Sequence, residues 1–254
     1  MSVWVLVFTD SVMTEQLYKY PRLYLNARLC AGAQVPVSAE QSHYLKTVLR
    51  KGEGAKVRVF NGMDGEWLAR IERVSKKSCT LIAGECLRAQ PENVPLRALY
   101  FAPIKKQRLD FLVEKAVELG VSDFYPVLTN RTENRKLNME RMRAHVIEAA
   151  EQCERMDVPA LHDMAKLPVV LAQKQVVPLV VALEREESAL PLSGIDFSVG
   201  AAFLIGPEGG FDDDEARLVR NSADVRCVAL GPRILRAETA ALACLSYVQL
   251  STNS

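Results

Sequence analysis

The sequence predicts an α/β fold in which a small β module precedes a larger domain of alternating strands and helices. Three observations carry this. Residues 55–87 alternate apolar and polar with the period of strands. Beyond residue 95, short apolar runs alternate with segments of helical spacing. A polar stretch with two prolines, Ala89–Pro95, lies between. The expected division is an extension over 1–20, a β module over 21–90 and an α/β domain over 91–254.

The organised pattern begins near Tyr20-Pro21-Arg22, and Met13 offers a second possible start, so no function is assigned to residues 1–12. Ser38–Arg50 places His43, Leu45, Val48 and Leu49 among polar residues, as in a short helix ending near Gly52. Val57 and Val59, then Trp67, Ala69 and Ile71, then Cys79 and Leu81 mark the strands of an antiparallel module. Asn61-Gly62 and Asp64-Gly65 supply the positive φ of tight turns between them.

In the second domain Leu96–Phe101 is the first strand. Leu109, Leu112, Val113, Ala116 and Val117 form a helical stripe that Gly120 terminates. Phe124–Leu128 is the next strand, and Asn138 caps a helix over Met139–Cys153. Val177–Leu183, Ala201–Ile205 and Val225–Leu230 complete a mostly parallel sheet covered on both faces. The last helix, Glu238–Leu250, is apolar nearly all round its first turns, which suits a subunit interface and a homodimer.

Composition excludes several classes. Apolar residues make up 49% and charged residues 25%, as in globular proteins. No run approaches the ~20 apolar residues of a membrane span. Val3–Phe8 is too short to span and lacks the basic flank of a secretory signal, so a cytoplasmic protein is expected. Six cysteines form no C-x-x-C pair and the three histidines lie far apart, so no metal is expected. Between Arg22 and Arg88 twelve Lys and Arg face six Asp and Glu, net +6 in a chain of net +1. Such a basic module points to a polyanion, although a solvated surface gives the same count.

Two segments carry the chemistry. Ile205-Gly206-Pro207-Glu208-Gly209-Gly210-Phe211 follows a strand and precedes Asp212-Asp213-Asp214-Glu215, which opens a helix. Glycines 206, 209 and 210 permit unusual backbone and close approach of a flat ligand, and Asp212 with Glu215 forms a capping box. Acids at the helix start and the missing Gly-Lys-Ser/Thr exclude a phosphate loop; a plain strand-to-helix turn remains the alternative. The second segment, Leu230-Gly231-Pro232-Arg233-Ile234-Leu235-Arg236-Ala237-Glu238-Thr239-Ala240, sets two arginines and a Glu-Thr pair on a loop before a buried helix. Glu238 reads equally as a base and as a helix cap.

Together, Gly-Pro-Glu-Gly-Gly and Leu-Gly-Pro-Arg-Ile-Leu-Arg-x-Glu-Thr-Ala resemble the bacterial 16S ribosomal RNA (uracil-N3)-methyltransferase (RsmE) family of the SPOUT class. Pro21-Arg22-Leu23-Tyr24, His43–Arg50, Lys76-Lys77, Glu114–Val121 and Ala149–Cys153 extend the likeness in the right order. Departures are Ala237, where relatives often carry Thr, and Glu154 after Glu-Gln-Cys. The resemblance implies an N-terminal PUA-like RNA-binding β-barrel and a C-terminal SPOUT α/β trefoil-knot domain whose two loops are threaded together. It implies S-adenosylmethionine (SAM) as cofactor, 16S ribosomal RNA or the small ribosomal subunit as partner, and an active site at a homodimer interface. Carried over by position, Leu183, Ile205, Gly206, Pro207, Glu208, Gly209, Gly210, Leu230, Gly231, Ile234, Leu235 and Arg236 surround the methyl donor.

On that basis uracil N3 attacks the sulfonium methyl while Arg236 stabilises charge on the imide carbonyls and Glu238 is the nearest candidate base. Arg22, Lys46, Arg50, Lys76, Lys77, Lys105, Arg131 and Arg135 are candidate phosphate contacts; each alone reads as surface, and as a set they fit RNA. The rival readings are a related methyltransferase acting on a ribose 2′-hydroxyl or another base, and a ribosome-assembly factor without turnover.

Overall fold

The computed structural model describes residues 17–74, 79–92, 94–174, 176–183 and 189–251. It divides into two compact units, residues 1–92 with Glu154–Asp157, and Asn93–Cys153 with Val158–Ser254. The four residues that belong with the first unit interrupt the second, and no sequence pattern announces them.

In the first unit β1 (Arg22–Tyr24), β2 (Gln34–Pro36), β3 (Lys56–Phe60), β4 (Glu66–Val74) and β5 (Cys79–Arg88) form one sheet in the order β1-β3-β4-β5-β2. The three expected strands are present, but the module is not wholly antiparallel: β1 runs parallel to β3. Alternation cannot report the direction of a partner. Asn61-Gly62 and Asp64-Gly65 both fall within the single β3–β4 connection, with φ of 82° at Gly62 and 83° at Gly65. At Gly65 a Cβ would stand 2.3 Å from the Arg88 carbonyl oxygen, so only glycine fits. Helix α1 (Ala39–His43) starts on a Ser38–Gln41 capping box and passes into a π-helical turn, Tyr44–Val48. Leu23, Leu45, Val57, Val59, Ile71 and Leu81 form the core.

One ion network is buried here. Glu66, 2% exposed, accepts from Arg22 Nε at 2.5 Å and Arg88 Nε at 2.7 Å, while Arg58 donates to Glu154 at 2.6 Å. The Arg22 guanidinium also lies 3.7 Å from the centre of the Phe60 ring and donates to the Arg155 carbonyl. Burial alone would raise the pKa of Glu66; hydrogen bonds from Arg88 and Arg22 reverse this and hold it below the usual range.

The second unit is built on a sheet in which every pairing among the described residues is parallel, ordered β11 (Leu190–Pro191), β13, β10, β12, β6, β7, β8 (Ala160–Leu161), with β9 (Ala165–Lys166) also on β7. Its central strands are β6 (Arg97–Phe101), β12 (Ala201–Ile205) and β10 (Leu179–Ala182); β13 is Val225–Ala229 and β7 Asp123–Leu128. Every residue of β6 and β12 is buried, the mark of strands covered on both faces. Helix α2 (Lys106–Glu118) buries the expected stripe and ends before Gly120 at φ 83°. Helix α3 (Met139–Gln152) is capped by Asn138, which accepts from the Arg141 N–H. Helices α4 (Leu167–Ala172), α5 (Asp213–Asn221) and α6 (Ala237–Ser251) follow, α6 packing on α2 and β12. On α6 one face holds Ala241, Cys244, Leu245 and Val248 buried, while Leu250 is 76% exposed.

Candidate active site

In a parallel sheet the strand ends point the same way, and ligands collect beyond the carboxyl ends. Here β13, β10 and β12 are neighbours, and their carboxyl ends lead into Leu230, Leu183 and Gly206. The cleft they open has a volume of about 1180 Å³. Its wall contains all twelve positions read from the sequence: Leu183, Ile205, Gly206, Pro207, Glu208, Gly209, Gly210, Leu230, Gly231, Ile234, Leu235 and Arg236.

The first loop is held by its neighbours. Gly210 adopts φ 67° and donates to the Pro207 carbonyl at 2.8 Å, closing a tight turn. Gly206 and Gly209 do not have positive φ, contrary to expectation. At Gly206 a Cβ would sit 3.0 Å from the Phe211 ring, so a side chain there would require that ring to shift by a few tenths of an ångström. The Asp212–Glu215 capping box is present at the start of α5. Asn130 N–H donates to Glu215 Oε1 and its side-chain amide to Asp212 Oδ2, each at 2.7 Å. The Glu215 N–H first, and the Asn130 amide second, hold the Asp212 carboxyl below its ordinary pKa. Arg131 Nη1 donates to the Gly209 carbonyl at 2.8 Å. The β7-end loop thus clasps the glycine loop, a role that no spacing in the sequence signals.

The second loop is open. Among the described residues the main chain of Gly231–Leu235 makes no backbone hydrogen bond, and Ile234 is 64% exposed. Unpaired N–H and C=O groups beside apolar Leu183, Ile205, Ile234 and Leu235 suit a flat base with a donor and acceptor edge. Arg236 is exposed; its carbonyl accepts from the Ala240 N–H at 2.8 Å, while its guanidinium has no hydrogen bond or ion pair among the described residues. Thr239 is exposed as well.

Glu238 stands differently. It is 8% exposed, lies off the cleft wall in the first turn of α6, and its Oε2 is buried without a hydrogen-bond partner among the described residues. Its nearest cation is Arg108 of α2, whose Nε is 3.8 Å from Oε1. Arg108 lines the cleft and donates from Nη1 to Glu208 Oε1 at 2.6 Å. Sequence reasoning missed Arg108, since it sits among the polar positions of an ordinary amphipathic helix.

The candidate phosphate contacts scatter. Arg22 is buried in the Glu66 network and is withdrawn from that set. Arg131 is spent on the glycine loop and is a positioning group. Lys105 borders a second cavity of about 490 Å³ with Lys106 and Arg131, and Arg135 donates to the Asn130 carbonyl. Lys46 is half-buried on the π-helical turn, and Arg50, exposed, follows it at φ 52°. Lys76 and Lys77 lie outside the described residues. Among the described residues no group of His, Cys, Asp or Glu is arranged to hold a metal, and no helix is long and apolar enough to cross a membrane.

The family model described as RNA methyltransferase domain matches residues 91–249, more than half of the chain, and the RNA methyltransferase PUA domain matches 37–83. The ribosomal RNA small subunit methyltransferase E of Rickettsia conorii is 34% identical over 239 residues, covering 91% of this chain and 96% of the relative. The chain belongs to the small subunit ribosomal RNA methyltransferase E family. Its Bacillus subtilis relative is 30% identical over 232 residues, covering 85% of this chain and 90% of the relative. Among solved structures, a methyltransferase from Legionella pneumophila with the bound cofactor SAM superposes at a TM-score of 0.83, 29% identical over 92% of this chain and 98% of that one. The methyltransferase E of Neisseria gonorrhoeae bound to S-adenosyl methionine gives 0.81 at 28% identity, over 91% and 98%. The family has an N-terminal PUA-like domain followed by a C-terminal SPOUT methyltransferase domain, and this chain carries both.

Proposed function

We propose that this family member transfers the methyl group of SAM to N3 of a uridine in 16S ribosomal RNA, with the cleft between the loops Gly206–Gly210 and Leu230–Arg236 as its active site. The observation that supports it best is that both glycine-bearing loops form one wall, with a free guanidinium, Arg236, on it. SAM, when bound, supplies a methyl on a positive sulfur, a leaving group already activated.

The chain's own part is to bind, orient and stabilise charge. Leu183, Ile205, Ile234 and Leu235 offer apolar contact to the adenine, and the unpaired main chain of the second loop reads its edge. The N3 electron pair forms the new N–C bond while the C–S bond breaks, its electrons staying on sulfur; the N3 proton leaves to solvent base. Loss of that proton spreads negative charge over the two flanking carbonyl oxygens, where Arg236 stabilises it. Glu238, expected as a base, faces Arg108 and serves better as a positioning residue. Lys46, Arg50, Lys105 and Arg135, with Lys76 and Lys77, are the remaining proposed phosphate contacts.

A homodimer follows from the same reading: Leu250 at the end of α6 and Ile234 on the second loop are apolar and exposed in the single chain. The test is methylation of 16S RNA or small subunits with labelled SAM, followed by nucleoside mass spectrometry. 3-Methyluridine is expected. A 2′-O-methyl nucleoside would move the chain to the ribose-modifying reading, and failure to bind SAM would favour an assembly factor.

A further inference from the structure

The uracil anion carries charge on two carbonyl oxygens, one on each side of N3, and a single guanidinium fork spans only one N3–carbonyl edge. We propose, resting on the uracil-N3 reading above, that Arg108 is the second cation of the site, a catalytic residue that addresses the carbonyl Arg236 does not reach.

Arg108 comes from α2, lines the same cleft as Arg236, and is one-third exposed. Its Nη1 donates to Glu208 of the first loop at 2.6 Å, and its Nε lies 3.8 Å from Glu238 in the first turn of α6, just after the second loop. Two carboxylates, one from the first loop and one from the first turn of α6, therefore flank one planar guanidinium, while Nη2 has no protein acceptor among the described residues. The Glu238 carboxylate is nine-tenths buried and its Oε2 lacks a hydrogen-bond partner among the described residues. A buried, unsatisfied carboxylate costs stability in a fold with nothing to gain from it, and here its one neighbouring cation opens onto the cleft. Glu208 and Glu238 are accordingly positioning residues for Arg108. Arg108 itself exchanges no proton and forms no bond; it gives hydrogen bonds that strengthen as the imide becomes negative.

The test uses the full chain, small ribosomal subunits and SAM, with kcat, KM for RNA and calorimetric SAM affinity measured for wild type, Arg108→Met and Arg108→Lys. Expected is a fall in kcat of about a hundredfold or more in Arg108→Met, SAM affinity within about threefold of wild type, and partial rescue in Arg108→Lys, which keeps the charge without the fork. Loss of SAM binding in a folded Arg108→Met protein, which makes Arg108 a structural clasp between loops, would overturn the proposal, as would kcat within threefold of wild type. Should Arg108→Met not fold, Arg108→Lys decides: a tenfold or greater fall in kcat supports the assignment and wild-type turnover refutes it. A wild-type protein that does not bind SAM at all, or that yields a different product, refutes the uracil reading instead.

Discussion

Arg236 and Glu238 stand two positions apart, one at the end of a loop and the other in the first turn of α6, yet their surroundings assign them opposite tasks. The Arg236 guanidinium is exposed on the cleft wall with no partner among the described residues, the state expected of a group waiting for a ligand; Glu238 is buried and lies off that wall. Arg236→Ala should lower kcat by about a hundredfold or more with SAM affinity nearly unchanged, which single-turnover kinetics and calorimetry measure together. Near-normal turnover would remove Arg236 from the chemistry. The cysteines give an independent check on burial. Burial raises the thiol of Cys244 to about 12 and that of Cys79 above its ordinary value, whereas Cys30 and Cys86 are exposed. A thiol reagent at pH 8 should therefore label Cys30 and Cys86 in the native protein and reach Cys79 and Cys244 only after denaturation, as peptide mass mapping would show.

Among the elements, legibility in the sequence followed the physics of each signal. The α2 stripe, the Asn138 cap and the Asp212–Glu215 box were readable because each is local: the partners lie within four residues. Replacing Asn138 with Ala should cost about 1 kcal/mol, read as a shift in the denaturation midpoint. The parallel β1–β3 pairing, the docking of Glu154–Asp157 and the Asn130–Arg131 clasp were not readable, because their partners lie far along the chain and leave no periodicity. For the same reason the Arg22 side chain was misread as a phosphate contact. A cluster of basic residues counts charge but says nothing of the carboxylate that buries it, here Glu66. That carboxylate gives the first unit an acid sensitivity. With its pKa held below the ordinary value in the folded protein, Glu66 contributes stability that is present above the unfolded pKa and lost as pH falls through the folded one. At pH 7 Glu66→Gln should cost about 3 kcal/mol, since it leaves buried arginines unpaired. The gap between variant and wild type should narrow below about pH 4, measured by urea midpoints at several pH values.

For the whole molecule, the twelve cleft positions were carried over from the family resemblance, and they share one wall because the two glycine-bearing segments and Leu183 follow β12, β13 and the β10 strand between them, whose parallel carboxyl ends lie on one side. The way the chain threads is a global property that alternation and spacing do not encode. The basic N-terminal segment predicts salt-dependent RNA binding by the intact protein, log K falling with log salt by about 0.7 for each phosphate contacted on single strands; a flat titration would exclude phosphate contacts. Sedimentation should give twice the chain mass of 28.2 kDa if the free face of α6 is a subunit interface. The most direct measurement is the nucleoside composition of 16S RNA after incubation with this protein and isotopically labelled SAM. The account predicts label in 3-methyluridine, its rate of appearance lowered by about a hundredfold or more in Arg236→Ala; label in any other nucleoside, or none with an intact substrate, contradicts it.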